Sequence, residues 1–188
     1  MAATELNTPV STWPRPGSGD AGGHSVDLRT ICFCWAALAA ATALSAVLAV
    51  AVPGLAPATP PHPTLHPSAG EVASILIDNL RVLAAPFILV AARFERTRAS
   101  RLAGDTIVAT ILVGNGIAVG LALGRWHSAL IPYVLQLPLE YLAAATAAAA
   151  WIDARRHRTR TALRSAAVTV ALTAAAAAIE VLLTPHAR

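Results

Sequence analysis

The chain has 188 residues, of which 56% are hydrophobic and only 13% charged, with a mean hydropathy of +0.60. A soluble domain carries about 25% charged residues, so this chain cannot coat a water-facing surface and the bilayer is its natural solvent. The net charge of +4 rests on 14 basic residues, all arginine, but they stand in short blocks beside apolar runs; that pattern reads as membrane orientation and speaks against a nucleic-acid partner.

Residues 1–30 are polar, hold Pro14, Pro16, Gly17, Gly19, Gly22 and Gly23, and show no apolar period. They predict a disordered tail. A secretory leader is the competing reading, with Ala49-Val50-Ala51 as a mimic of a cleavage site. The apolar run that follows the tail is, however, longer than the roughly 7–15 residues of a leader's hydrophobic region.

Five apolar runs follow, at 31–52, 72–92, 105–123, 130–151 and 165–183. Each is close to the ~20 residues that span a ~30 Å hydrocarbon core, and none has the charge-coated face of a buried helix in a soluble protein. The expected fold is all-α: a polytopic membrane bundle of about five transmembrane helices over 31–184. Cys32 and Cys34 open the first run. Residues two apart on a helix point in different directions, so they read as packing residues rather than a redox or metal pair.

The loops give the orientation. Arg93, Arg96, Arg98 and Arg101 follow the second run, Arg155, Arg156, Arg158, Arg160 and Arg164 follow the fourth, and Arg15 and Arg29 precede the first. With alternating runs all three groups share one face, which leaves Arg125 and Arg188 on the other. The positive-inside rule then puts the N-terminus in the cytoplasm and the C-terminus outside. Trp35 and Trp151 are expected at the inner interface, Trp126 and Tyr133 at the outer one. Between the first two runs, His62 and His66 are interleaved with Pro60, Pro61, Pro63 and Pro67. Those prolines prevent a helix from aligning the histidines, so a stiff exposed linker is expected there.

Polar residues within the runs are the informative ones, because a charge at the bilayer centre costs ~2.5–3.5 kcal/mol on insertion scales. They are Asp78, Asn79 and Arg81 in the second run, Asn115 in the third, Gln136 and Glu140 in the fourth, and Glu180 in the fifth. At ~1.5 Å per residue, Arg81, Asn115 and Glu140 fall near one midplane level. Arg81 has two carboxylates in reach: Asp78 three residues earlier, a facing separation, and Glu140 on another helix. The reading is a midplane cluster of Asn79, Arg81, Asn115 and Glu140, acting either as a packing pin or as a conduction path, binding site or switch. Glu180, near the outer end of its run, reads as tolerated. Gly116, Gly120 and Gly124 recur every four residues, a helix-packing signal whose partner is either within the chain or in a second copy. Pro86, Pro132 and Pro138 are expected to kink or open the second and fourth helices.

No phosphate-cradling glycine loop, Ser/His/Asp constellation or helical zinc pair is present, so no catalytic residue, cofactor or metal is expected, and any motor would be another protein.

Ile77-Asp78-Asn79-Leu80-Arg81-Val82, Gly114-Asn115-Gly116 and Leu135-Gln136-Leu137-Pro138-Leu139-Glu140-Tyr141-Leu142-Ala143 resemble the stage II sporulation protein M family of bacterial membrane proteins, over about residues 75–152. That family has an Asn-rich start to one membrane helix, an Asn-Gly in the next and a His-Gly-x-x-Glu before small residues in the third. Asn79, Asn115 and Glu140 fall on the corresponding positions, whereas Gln136-Leu137 replaces the His-Gly. Gln136 is one turn from Glu140 and can hydrogen-bond it. The resemblance implies a non-enzymatic protein of the bacterial cytoplasmic membrane, acting as a subunit or scaffold with other membrane proteins and with a cell-wall hydrolase or an ABC-type ATPase. Alternatives are a permease-like subunit of an exporter, or a membrane component of a peptide- or envelope-modifying complex in which Glu140 supplies acid–base chemistry. A homo-oligomer is among the expected assemblies.

Overall fold

The computed structural model describes residues 27–55, 68–127, 130, 134–156 and 162–183. Most of the proposed tail, the His- and Pro-rich linker, Pro132, Tyr133, Arg158, Arg160 and Arg188 lie outside them.

Among the described residues, six α-helices form an all-α bundle: α1 (Leu28–Ala51), α2 (Ala69–Leu83), α3 (Ala85–Ala91), α4 (Arg98–Trp126), α5 (Leu137–Arg155) and α6 (Ala162–Leu183). Local chemistry sets their ends. The Asp27 carboxylate accepts from the Arg29 N–H at 3.1 Å and from the Thr30 hydroxyl at 3.2 Å, capping α1. The Ser68 hydroxyl accepts from the Glu71 N–H to start α2, and Thr97 and Ser100 form a reciprocal capping box at α4. Such caps satisfy N–H groups that have no partner within the helix.

The second apolar run is not one helix. It breaks at Ala84, and α2 and α3 meet at a bend of 48°. Pro86 explains the break, because it lacks an N–H and its ring crowds the carbonyl one turn back. α3 ends in a Schellman turn, with Arg93 at φ 60° and the Phe94 N–H bonded to the Leu89 carbonyl. Glycine is the usual residue in that conformation.

α1 and α4 run parallel and pack most closely. Leu38 faces Gly116, Thr42 and Ser45 face Gly120, and Ala46 and Ala49 face Gly124. α5 lies at the centre with most of its residues buried, including the whole alanine-rich stretch from Ala143 to Ala150. Small side chains there let α1, α3, α4 and α6 converge on it. α2 lies at the periphery and leans mainly on α6.

Three described helices, α1, α4 and α6, are long and apolar enough to cross a membrane, or four spans if the bent α2–α3 pair counts as one. The protein is thus a membrane-embedded helical bundle, but the sequence expectation of about five spans changes in two ways among the described residues. One span is broken. The fourth begins at Leu137 rather than near 130, carries Glu140 and Asp153, and is sheltered inside the bundle. Pro138 therefore starts a helix instead of kinking one, as suits a residue whose N–H would go unbonded in a first turn.

Trp151 is also corrected. It is 1% exposed and is no interfacial anchor. Its ring covers Gly104, and its indole N–H donates to Asp105 at 2.9 Å. Asp105 also bridges Arg155 at 2.7 Å, and Asp27 lies 3.7 Å from Arg156. These bonds gather the starts of α1 and α4 and the end of α5 at one end of the bundle. Arg29, Arg98, Arg101, Arg155 and Arg156 share that end.

Candidate functional site: a polar cavity at mid-depth

α2, α4 and α5 bring three of the sequence-singled polar residues together. Asn79, Asn115 and Glu140 line one cavity of about 100 Å³ with Tyr141, Thr173 and the apolar side chains of Leu38, Val82, Leu83, Val119 and Ala144. One water needs roughly 10–15 Å³ of such space, so the cavity has room for several. It lies about halfway along α4, at the level of Asn115.

Each wall has a local cause. Glu140 sits in the first turn of α5, where a carboxylate complements the positive end of the helix dipole. Asn79 of α2 lines the same cavity across from it. The Tyr141 hydroxyl is hydrogen-bonded to Thr42 of α1, which fixes the floor of the cavity to the α1–α4 seam. α2 and α4 scarcely meet. Val82 on one and Asn115 on the other are both exposed, so the cavity opens sideways between them.

Asp78 and Arg81 are not part of it. The Arg81 guanidinium donates to Asp78 at 3.0 Å, and the two side chains are 75% and 67% exposed. The pair lies on the outside of α2, turned away from Glu140. Of the two carboxylates in reach by sequence, Arg81 takes the one on its own helix. The joint cluster is corrected accordingly, because residues two positions apart on a helix cannot face the same way. Gln136 is buried at the N-cap of α5 and has no partner for its Oε1 among the described residues, and it does not line the cavity.

Gly116, Gly120 and Gly124 all face α1 within the same chain. They belong to a longer buried ridge, Gly104, Val108, Leu112, Gly116, Gly120 and Gly124, each one turn from the next. A Cβ at Gly120 would overlap the Thr42 carbonyl and the Ser45 hydroxyl.

Some participants were not singled out by sequence reasoning. Thr42, Tyr141 and Thr173 look like ordinary residues of apolar runs. Glu180 of α6, read as merely tolerated, stands within electrostatic range of Glu140. Neither glutamate forms an ion pair among the described residues. Cys32 is exposed and Cys34 buried, both as free thiols.

Comparison with protein-family models, with curated proteins and with solved structures finds no match to this chain.

Proposed function

We propose that this chain is a non-enzymatic, multi-pass protein of the bacterial cytoplasmic membrane that works as a subunit or scaffold of a membrane complex. The observation that carries the reading is the Asp78–Arg81 pair, which stands on the outside of the bundle at the level of a mid-depth cavity. Charges inside a membrane are costly and face a protein interior or a water-filled space. An outward pair at that depth calls for another protein against it. The arginine-rich end gives the orientation: by the positive-inside rule it lies in the cytoplasm with the start of α1, and α6 ends outside. The resemblance to the stage II sporulation protein M family agrees with an assembly role, with a cell-wall hydrolase or an ABC-type ATPase as partners.

A second reading, the permease-like subunit of an exporter, is favoured by the cavity itself. A broken helix beside a mid-depth polar site is how transporters build substrate sites, and α2–α3 breaks at Ala84, directly after Leu83 in the cavity wall.

The test is affinity isolation of the full chain from membranes in several mild detergents, with cross-linking beforehand. Recovery in a complex larger than one copy, lost when Asp78 and Arg81 are both replaced by leucine, is the expected result. Recovery of single copies in every detergent and after cross-linking would sink the assembly reading.

A further inference from the structure

We infer that the outer face of α2 is a self-association surface and that its occupant is a second copy of this chain, joined by reciprocal Asp78–Arg81 ion pairs. The inference rests on the assembly reading above and names the partner.

The face is defined by exposure. Gly70, Ser74, Ile77 and Arg81 are all exposed and fall at alternating steps of four and three, which is the seam spacing of two parallel helices packed side by side. Gly70 and Ser74 are small and permit close approach. Ile77, half exposed among the described residues, sits at the centre of the seam. Asp78 and Arg81 close the seam at its inner end.

Charge selects the occupant. A face carrying one acid and one base a single turn apart is complementary to itself. In a twofold dimer about the membrane normal, equal depths meet, and a surface patch contacts its own copy. Asp78 and Arg81 differ in height by about 4.5 Å at the α-helical rise, a gap that an arginine side chain closes. Each Arg81 then lies between two Asp78 carboxylates, its own and that of the other copy. Each charge gains an opposite charge and leaves the hydrocarbon. A lipid headgroup is a poor occupant, because the pair lies at the level of Asn79 and the cavity rather than at the end of the bundle. A partner of a single charge sign would neutralise one member of the pair and repel the other.

The experiment uses the full chain in native membranes, with Cys32 and Cys34 replaced by serine. Ile77→Cys is expected to give an oxidative cross-linked dimer, and Leu163→Cys, exposed on α6, is expected to give none. Asp78→Arg and Arg81→Asp are each expected to lower the dimer at least tenfold, since each makes the face repel its copy. The decisive arm co-expresses the two charge-reversed chains with different affinity tags. Capture of one tag is expected to recover the other at the wild-type level, because the reversed faces complement each other, and this recovery also shows that both chains fold. If neither reversal weakens the dimer, or if co-expression restores nothing, the second copy is not the occupant. Loss of a different captured protein in both variants, without rescue on co-expression, would leave the assembly reading standing and overturn self-association.

Discussion

The α1–α4 seam and the α2 side of the bundle are built on opposite principles. Along the seam, glycines bring two backbones together and almost every polar group is satisfied locally: Thr42 donates to the Leu38 carbonyl at 2.9 Å and Ser45 to the Ala41 carbonyl at 2.7 Å. On the other side, α2 leans on α6, breaks at Ala84, and carries an ion pair outward and an amide inward toward a half-open cavity. In lipid there is no hydrophobic drive between helices, so close packing supplies the stability. The seam and the α5 hub therefore hold the bundle, and α2 is left free to carry charge. The difference separates residues that make the fold from residues whose cost is explained by something outside it.

The largest effect is expected at the seam. Gly120→Val places three carbons where the Thr42 carbonyl and the Ser45 hydroxyl already stand. Overpacking of this kind costs about 1–3 kcal/mol even in soluble cores, and here the clash is with backbone that cannot move aside. Detergent unfolding followed by tryptophan fluorescence should show a loss of about 3 kcal/mol or a failure to accumulate. The same change at Gly114, where a Cβ would meet no atom within 4 Å, should be close to neutral. Equal damage at both positions would remove the distinction between seam and periphery.

Next in size is the junction at the arginine-rich end of the bundle. Asp105→Ala removes one acceptor shared by the Trp151 indole at 2.9 Å and the Arg155 guanidinium at 2.7 Å. Trp151 is fully buried, and its N–H would be left without a partner, at a cost of about 1–3 kcal/mol. Asp105→Asn retains an acceptor for the indole and should recover most of that loss. If alanine and asparagine lower the unfolding midpoint equally, the indole bond contributes nothing and the arginine alone accounts for the effect.

A smaller effect is expected at the start of α2. Ser68→Ala deletes the hydroxyl that accepts from the Glu71 N–H at 3.2 Å, and cap deletions cost about 1 kcal/mol. Because α2 is peripheral, the loss should appear as faster amide exchange confined to α2, with the unfolding midpoint of the whole bundle little changed. Exchange that rises equally in α1 and α4 would show α2 to be as integral as the seam.

These regions also differ in how much of them the sequence discloses. The all-helical membrane character follows from depletion of charge, which is a property of the whole chain and needs no contacts. The glycine spacing on α4 signals a tight neighbour, but only the three-dimensional arrangement selects α1 as that neighbour. The polar levels of Asn79, Asn115 and Glu140 can be estimated from residue counts, because rise along a helix is fixed. Rotation is harder: Asn79 and Arg81 share a level but face opposite ways, and a depth argument alone merges them. Trp151 shows the same limit, since an aromatic at the end of an apolar run fits an interface equally well until Asp105 is seen beneath its indole. The start of α5 at Leu137 is hidden because residues 130–136 are as apolar as a helix would be, and only the burial of α5 within the bundle reveals a shorter element.

The smallest effect sharpens the comparison most directly, because it asks which carboxylate Arg81 feels. By depth, Arg81 and Glu140 are partners; by geometry, Arg81 belongs to Asp78 on the outer face, while Glu140 lines the cavity with Asn79. A double-mutant cycle separates the two. Arg81→Leu with Glu140→Gln should be additive within about 0.3–0.5 kcal/mol, as for sites with no shared partner. Arg81→Leu with Asp78→Asn should show a coupling larger than that margin, since the pair is made directly at 3.0 Å. Glu140→Gln alone should cost little, for it keeps a group that can hydrogen-bond Asn79 and removes a charge that no cationic side chain neutralises among the described residues. A strong Arg81–Glu140 coupling would mean that α2 turns its guanidinium into the cavity, and the division between an inward amide face and an outward charged face would have to be abandoned.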